Sequence, residues 1–306
     1  MGSIRVANAP CSWGALEFDD TGDGRLSGTS PDCHQVLDEL RRSGYAGTEL
    51  GDWGFMPTDP AALRDLLGHY DLPVLGAFVP VALADASTHA AGIVEALRVA
   101  RLLAPVNDEA FIVLADDNGR DAERTRCAGR ITAEQGLDAA RWDVFARGAE
   151  DIARAVRDAT GLRTAFHFHC AGFVETPAEV DALMERTDPE LLGLTFDTGH
   201  FAYGGGDPVA GLRAHADRVW HVHFKDCHSG VAAQARSQGW DYFESVGRGV
   251  FCELGRGEVH FGAVLDELRH QDYSGWIVVE QDVLPGMGTP FESAQRNREF
   301  LRGLGL

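Results

Sequence analysis

A chain of 306 residues with 44% hydrophobic and 24% charged side chains has the composition of an ordinary soluble globular protein. Its formal charge of −20 argues against nucleic acid as a partner, since that binding relies on cations that displace condensed counterions. No apolar run reaches the roughly 18 residues of a membrane helix, and Met1-Gly2-Ser3-Ile4-Arg5-Val6 carries neither an apolar signal core nor a lipidation motif, so no membrane partner is expected and the expected location is the cytoplasm.

Taken in order, Ile4 to Ala9 reads as a first strand opening into Pro10-Cys11-Ser12-Trp13-Gly14. Pro31 then starts a helical pattern through Val36, Leu37 and Leu40 that Gly44 stops. A second strand spans 46–50 with Glu49 near its end, and a helix follows from Pro60 to about Tyr70. The third strand is 73–79, its helix runs 87–103 with Ser87 as N-cap, and the fourth strand is 110–115, ending at Asp116-Asp117. The polar interval 118–136 reads as loop before a helix to about Ala159. The fifth strand, 163–170, carries His167 and His169, and Thr176-Pro177 opens the next helix.

The sixth strand ends in Phe196-Asp197-Thr198-Gly199-His200, and the seventh is Arg218-Val219-Trp220-His221-Val222-His223-Phe224-Lys225-Asp226. The interval 227–258, rich in glycine, arginine and aromatics, reads as a long lid-like loop over the site. A helix at 261–270, an eighth strand at 274–280 and a helix from about 290 to 304 complete the chain. Strict β-α alternation implies parallel strands with right-handed crossovers, and eight such units make a closed (β/α)8 barrel as a single α/β domain over residues 1–306. No GxGxxG follows the first strand, so an open dinucleotide-binding sheet lacks its signal. The six cysteines are scattered without a CxxC pair and read as reduced thiols.

In a parallel barrel, ligands collect at the carboxyl ends of the strands. Glu49, Asp116, His167, His169, Asp197, His200, His223, Lys225 and Glu280 all fall there. Alternation puts His221, His223 and Lys225 on one face. Imidazoles mixed with carboxylates suit a divalent first-row cation such as Mn, Co or Zn, and Asp197, His223 and Glu280 come from three strands that can converge on one ion. Each has a plainer reading as a turn cap or a hydrogen-bonded core residue, weakest for Glu280, whose buried carboxylate needs a partner. Glu49 and Asp116 divide evenly between substrate contact and loop capping. Lys225 is the only lysine in the chain. Compositional bias explains the arginine excess, but not why this position alone carries a compact ammonium with a tunable pKa.

Gly44-Tyr45-Ala46-Gly47-Thr48-Glu49-Leu50-Gly51, His167-Phe168-His169, Asp197-Thr198-Gly199-His200, His221-Val222-His223-Phe224-Lys225-Asp226 and Gly249-Val250-Phe251 resemble the xylose-isomerase-like TIM barrels, and most closely their inosose dehydratase branch. The resemblance spans nearly the whole chain. It implies a metal held by His167, Asp197, His223 and Glu280, with His167 standing where the epimerase relatives have a glutamate and His169 as the competing ligand. Losing that carboxylate argues against epimerisation by two acid-base groups and towards a metal-dependent dehydratase acting on a keto-cyclitol such as 2-keto-myo-inositol. Lys225, His200 and Glu49 are then the expected catalytic groups. His169, His221, Trp13 and Asp116 are the expected contacts to a small polyhydroxylated keto substrate. The alternatives are a ketose epimerase or sugar isomerase, or a barrel that binds a sugar without turning it over. Self-association into a homo-oligomer is left open.

Overall fold

The computed structural model of the chain describes residues 3–14, 32–284 and 287–306. In chain order the strands are β1 (Ile4–Asn8), β2 (Gly76–Val81), β3 (Phe111–Asp116), β4 (Arg163–His167), β5 (Leu192–Asp197), β6 (Val219–Phe224), the short β7 (Asp226–Cys227) and β8 (Phe251–Cys252), and β9 (Gly275–Val279). Between and after them run α1 (Cys33–Ser43), α2 (Pro60–Tyr70), α3 (His89–Leu103), α4 (Ala122–Cys127), α5 (Ala139–Thr160), α6 (Pro177–Arg186), α7 (Thr198–Tyr203), α8 (Pro208–Ala214), α9 (Ser229–Gln238), α10 (Tyr242–Gly247), α11 (Phe261–His270) and α12 (Pro290–Gly303). Among the described residues, no helix is long and apolar enough to cross a membrane.

Seven strands pair in parallel in the order β1-β9-β6-β5-β4-β3-β2. The expected second strand at 46–50 is not a regular strand. It keeps only two parallel bridges, Asn8 to Thr48 and Thr48 to Val74. Those bridges are nonetheless what joins β1 to the edge of β2 and closes the barrel, reinforced by the Thr48 hydroxyl donating to the Asn8 carbonyl at 3.1 Å. Gly47 in this segment lies under the Trp276 ring, which would meet a Cβ at 3.0 Å, so a close approach replaces a ladder here.

Alternation divides each strand between two environments. The outward residues Ile112, Leu114, Phe166, Leu194, Phe196, Val222, Phe224, Ile277 and Val279 are fully buried under the helices. Inward residues form small separate clusters, Ala7 with Leu75 and Val278, and Phe111 with Val113 and Ala165. One irregularity re-aims a side chain: the β5–β6 register shifts at Leu194/Thr195, and the Trp220 ring lies where a Gly193 Cβ would be.

Several boundaries differ from those expected. Pro31 lies outside the described residues, and α1 is capped by Asp32, whose carboxylate accepts from Gln35 N at 3.0 Å. Ser87 is not the N-cap of α3, because its own N–H and hydroxyl turn to Asp85 at 2.9 and 2.7 Å. Thr176 does open α6, through a reciprocal capping box with Glu179. The interval 118–136 is not plain loop. It holds α4, from which the fully buried Arg124 makes a two-pronged pair with Glu179 at 2.7 and 2.9 Å. All six cysteines are free thiols.

The interval 227–258 is likewise built structure and not a loop. α9, α10 and the antiparallel β7/β8 pair occupy it, and Asp226 ties its return together. One carboxylate oxygen accepts from Cys227 and Val259 N at 2.9 and 3.1 Å, the other from Gly255 and Gly257 N, each at 2.8 Å. Asp226→Ala leaves those buried donors without their acceptor, a loss on the order of 3 kcal/mol. The unfolding midpoint is expected to fall and cleavage of this segment by a protease to speed up; a midpoint equal to wild type would refute this anchoring role.

Candidate metal centre at the C-terminal mouth of the barrel

β4, β5 and β6 each deliver an inward residue at or near their carboxyl ends, His167, Asp197 and His223, and Glu280 follows β9 directly. One ligand atom from each of these four lies within 4.8 Å of the other three. Nε2 of His167 is 3.8 Å from Asp197 Oδ2, and Nδ1 of His223 is 3.3 Å from Glu280 Oε1. Asp197 does two jobs. Its Oδ1 caps α7 by accepting from His200 N at 2.7 Å, which leaves Oδ2 aimed elsewhere.

The site continues upward through Lys225, two positions beyond His223. Its Nζ lies 3.6 Å from Glu280 Oε2 and 3.5 Å from Asp282 Oδ2, and 4.7 Å over the Phe251 ring. Asp226, the neighbour in sequence, is not its partner, since that carboxylate is occupied by backbone N–H groups. Thr198 fixes the lysine's main chain, donating to Lys225 O at 2.7 Å and accepting from Lys225 N at 3.1 Å. A Cβ at Gly199 would come within 2.6 Å of Lys225 Cγ, so the lysine stem needs glycine there. His200 and His169 stand alongside with ring centroids 3.9 Å apart, backed by Phe251 at 4.7 Å and Tyr242 at 5.6 Å respectively.

Glu49 lies on the far side of His223. Its Oε1 meets His223 Nε2 at 3.0 Å and His221 Nε2 at 2.8 Å. A carboxylate on one ring nitrogen fixes the orientation of the imidazole and presents the other nitrogen to the cavity, the usual support of a metal-ligating histidine. His221 faces the opposite end of the barrel, where it lines a bowl of about 830 Å3 with Arg5, Phe111, Arg163, Trp220 and Trp276. Asp116 is spent on loop backbone, accepting from Phe173 N at 2.8 Å and Leu83 N at 3.3 Å. Trp13 is buried, with its indole N–H on Glu39 at 2.6 Å. The structure thus brings together His167, His169, Asp197, His200, His223, Lys225 and Glu280, with Glu49 behind them. Asp282 was not anticipated; its spacing of two from Glu280, repeating that of His223 and Lys225, was the available signal.

Burial and charge give these groups different protonation states. Burial lowers the pKa of His167, against the pull of Asp197, and holds His200 well below 6.5 with help from His169 and Lys225. His223 is the exception: burial opposes its charge, but Glu280 and Glu49 outweigh it and lift the ring to about 9. Burial disfavours the Glu49 and Asp197 carboxylates, yet the first is held below its ordinary value by His223 and His221 and the second by His167 and Lys225.

The donor set fits a divalent cation. Four buried atoms at this spot, His167 Nδ1, Asp197 Oδ2, His200 Nε2 and His223 Nδ1, have no hydrogen-bond partner. Orphaned buried polar atoms are rare and cost roughly 1–3 kcal/mol each. Imidazole nitrogen with carboxylate oxygen is the ligand chemistry of first-row divalent metals.

A closed parallel barrel with an imidazole-carboxylate set at the strand ends defines a β/α-barrel protein of the kind that gathers its chemistry at the C-terminal mouth. The chain belongs to the xylose isomerase-like TIM barrel family, whose sequence model matches residues 37–304. It is 32% identical to a protein of Geobacillus kaustophilus named inosose dehydratase, covering 97% of this chain and 94% of that one. It is 35% identical to the rhizopine catabolism protein MocC of Rhizobium meliloti, covering 98% and 88%. Among solved structures, a D-allulose 3-epimerase from Methylomonas sp. superposes with a TM-score of 0.68 at 16% identity, covering 99% of each chain, a likeness of fold alone.

Because the His223 value is raised from 6.5 to about 9, its charge stabilises the metal-free fold below about 6.5, and that stabilisation is lost as pH rises through about 9. The metal-free unfolding midpoint should fall across that window, and fall less in Glu49→Gln, where one of the two carboxylates is gone. The ring's NMR titration midpoint should move down towards 6.5 in the same variant; an unmoved midpoint would assign the whole effect to Glu280.

Proposed function

We propose that this chain is a dehydratase acting on a keto-cyclitol such as 2-keto-myo-inositol, a carbon-oxygen lyase working in the cytoplasm with one divalent cation, Mn, Co or Zn. The reading is carried by the likeness, over 97% of the chain, to a protein named inosose dehydratase. The site supports it chemically. Elimination of water β to a ketone needs charge stabilisation at the carbonyl oxygen, a base at the α-carbon and a partner for the departing hydroxyl.

His167, Asp197, His223 and Glu280 would hold the cation, with Glu49 orienting His223. When bound, a divalent cation supplies Lewis-acid stabilisation of the negative charge that develops on the carbonyl oxygen. Lys225, as the free amine, takes the α-proton at Nζ, held in place by Glu280 and Asp282 on either side and by the Phe251 face beneath, and the ammonium so formed returns that proton to the departing hydroxyl, which leaves as water. His200 is kept neutral chiefly by burial, with His169 and Lys225 lowering it further, and its unpartnered Nε2 hydrogen-bonds the substrate hydroxyls, orienting the one that leaves. Tyr242 and Phe251, both buried, wall the cavity from the side of the 227–258 segment and exclude water, which strengthens every electrostatic contact inside.

Purified protein is expected to carry close to one divalent metal per chain and to convert 2-keto-myo-inositol to an ultraviolet-absorbing dione. Asp197→Ala and Glu280→Ala should lose both metal and activity. No metal by elemental analysis, and none taken up from added Mn, Co or Zn, would reject the metal; no absorbance change with metal bound would reject the reaction. Lys225→Arg keeps the charge but cannot shed its proton, so kcat should drop roughly 10² to 10⁴-fold with metal content unchanged. Turnover near wild type in that variant would leave Lys225 with a charge-stabilising role only.

A further inference from the structure

We infer that Phe78 is the platform on which the substrate ring stacks, and that its flat face selects a six-membered ring whose hydroxyls are all equatorial. Phe78 lies in the middle of β2, on the inward face. Gly76, two positions earlier, faces the barrel interior, where a Cβ would meet Val113 at 3.2 Å and Glu49 Oε1 at 3.6 Å, while Ala77, Val79 and Val81 point outward into the main core. An inward phenylalanine should be covered, as inward Phe111 and Val113 are at 8% and 0% exposure; Phe78 is instead 39% exposed. An exposed large apolar side chain inside a concave site is the informative kind. The ring meets His167 only edge to face, with centroids 6.1 Å apart and planes at 85°, and the next inward residue, Pro80, is exposed as well.

β2 therefore gives the cavity an apolar wall beside the polar ligand set. A ligand that satisfies both must have a polar rim and an apolar face. A cyclohexane chair with every hydroxyl equatorial has that shape, because its axial positions carry only C–H bonds. 2-Keto-myo-inositol is such a ring, since its remaining hydroxyls are all equatorial. An axial hydroxyl would be pressed against the Phe78 ring, desolvated and without a hydrogen-bond partner, and an open-chain ketose presents no flat apolar face. The ring's identity rests on the dehydratase reading; the stacking wall rests on the exposure and parity of Phe78.

Binding of unreactive cyclitols separates the two. Calorimetric titration of metal-loaded wild type should give tighter binding of scyllo-inositol, all of whose hydroxyls are equatorial, than of epi-inositol, which carries axial ones. Phe78→Ala and Phe78→Leu should weaken scyllo-inositol roughly three- to ten-fold, leave epi-inositol little changed and so erase the preference, while Phe78→Tyr retains it. Metal content and unfolding midpoint, measured on the same samples, should match wild type because the side chain is largely open. A preference that survives Phe78→Leu with metal intact, no preference in wild type, or no binding of either cyclitol would overturn the inference. A Phe78-dependent preference in a protein that fails to dehydrate the inosose would uphold it while removing the dehydratase reading.

Discussion

The site depends on one buried imidazole shared between two carboxylates. His223 meets Glu49 through Nε2 and Glu280 through Nδ1. Neither carboxylate could sit in a dry barrel without a cationic or hydrogen-bonding partner, and the ring would lose its charge to burial without them. The Glu49 contact joins β6 across the barrel to the irregular 46–50 segment, and the Glu280 contact ties β6 to the end of its neighbour β9. The same residue that would hold a cation is thus also a cross-brace, and a cation replacing its proton would relieve the orphaned atoms of His167 and Asp197 beside it.

Around that brace, small structural choices place the reactive groups. Asp197 spends one oxygen on the N-terminus of α7 and keeps the other for the cluster. Thr198 clamps the backbone of Lys225, and Gly199 gives way to its stem, so the four-residue stretch from Asp197 to His200 serves the neighbouring strand as much as its own. The segment after β6 contributes from above. Asp226 gathers four backbone N–H groups and thereby sets Phe251 against Lys225 and His200. One acid in the motif anchors structure, and the lysine beside it lies against Glu280 and Asp282 in the candidate site.

Period-two alternation decided which expected residues joined the site. On β3, inward Phe111 and Val113 fix the parity, so Asp116 at the strand end turns away from the interior and caps loops. On β4 the same rule turns His167 inward with Ala165, and on β2 it turns Phe78 into the cavity. Asp116 and Phe78 could have been sorted from sequence only with the strand ends known to one residue, because a slip of one inverts every assignment.

The sequence by itself determined the barrel, the order of its strands and the residues at their carboxyl ends, because hydrophobic period and helix punctuation are local properties of the chain. It also set out His221, His223 and Lys225 as one column, since their spacing needs no partner strand to interpret. Tertiary structure alone decided that Glu49 supports His223 from behind, that Asp282 flanks Lys225, and that 46–50 closes the barrel through bridges in place of a ladder. Those outcomes depend on distances between groups far apart in sequence, up to 174 positions for Glu49 and His223, and such distances exist only once the sheet has curled and closed.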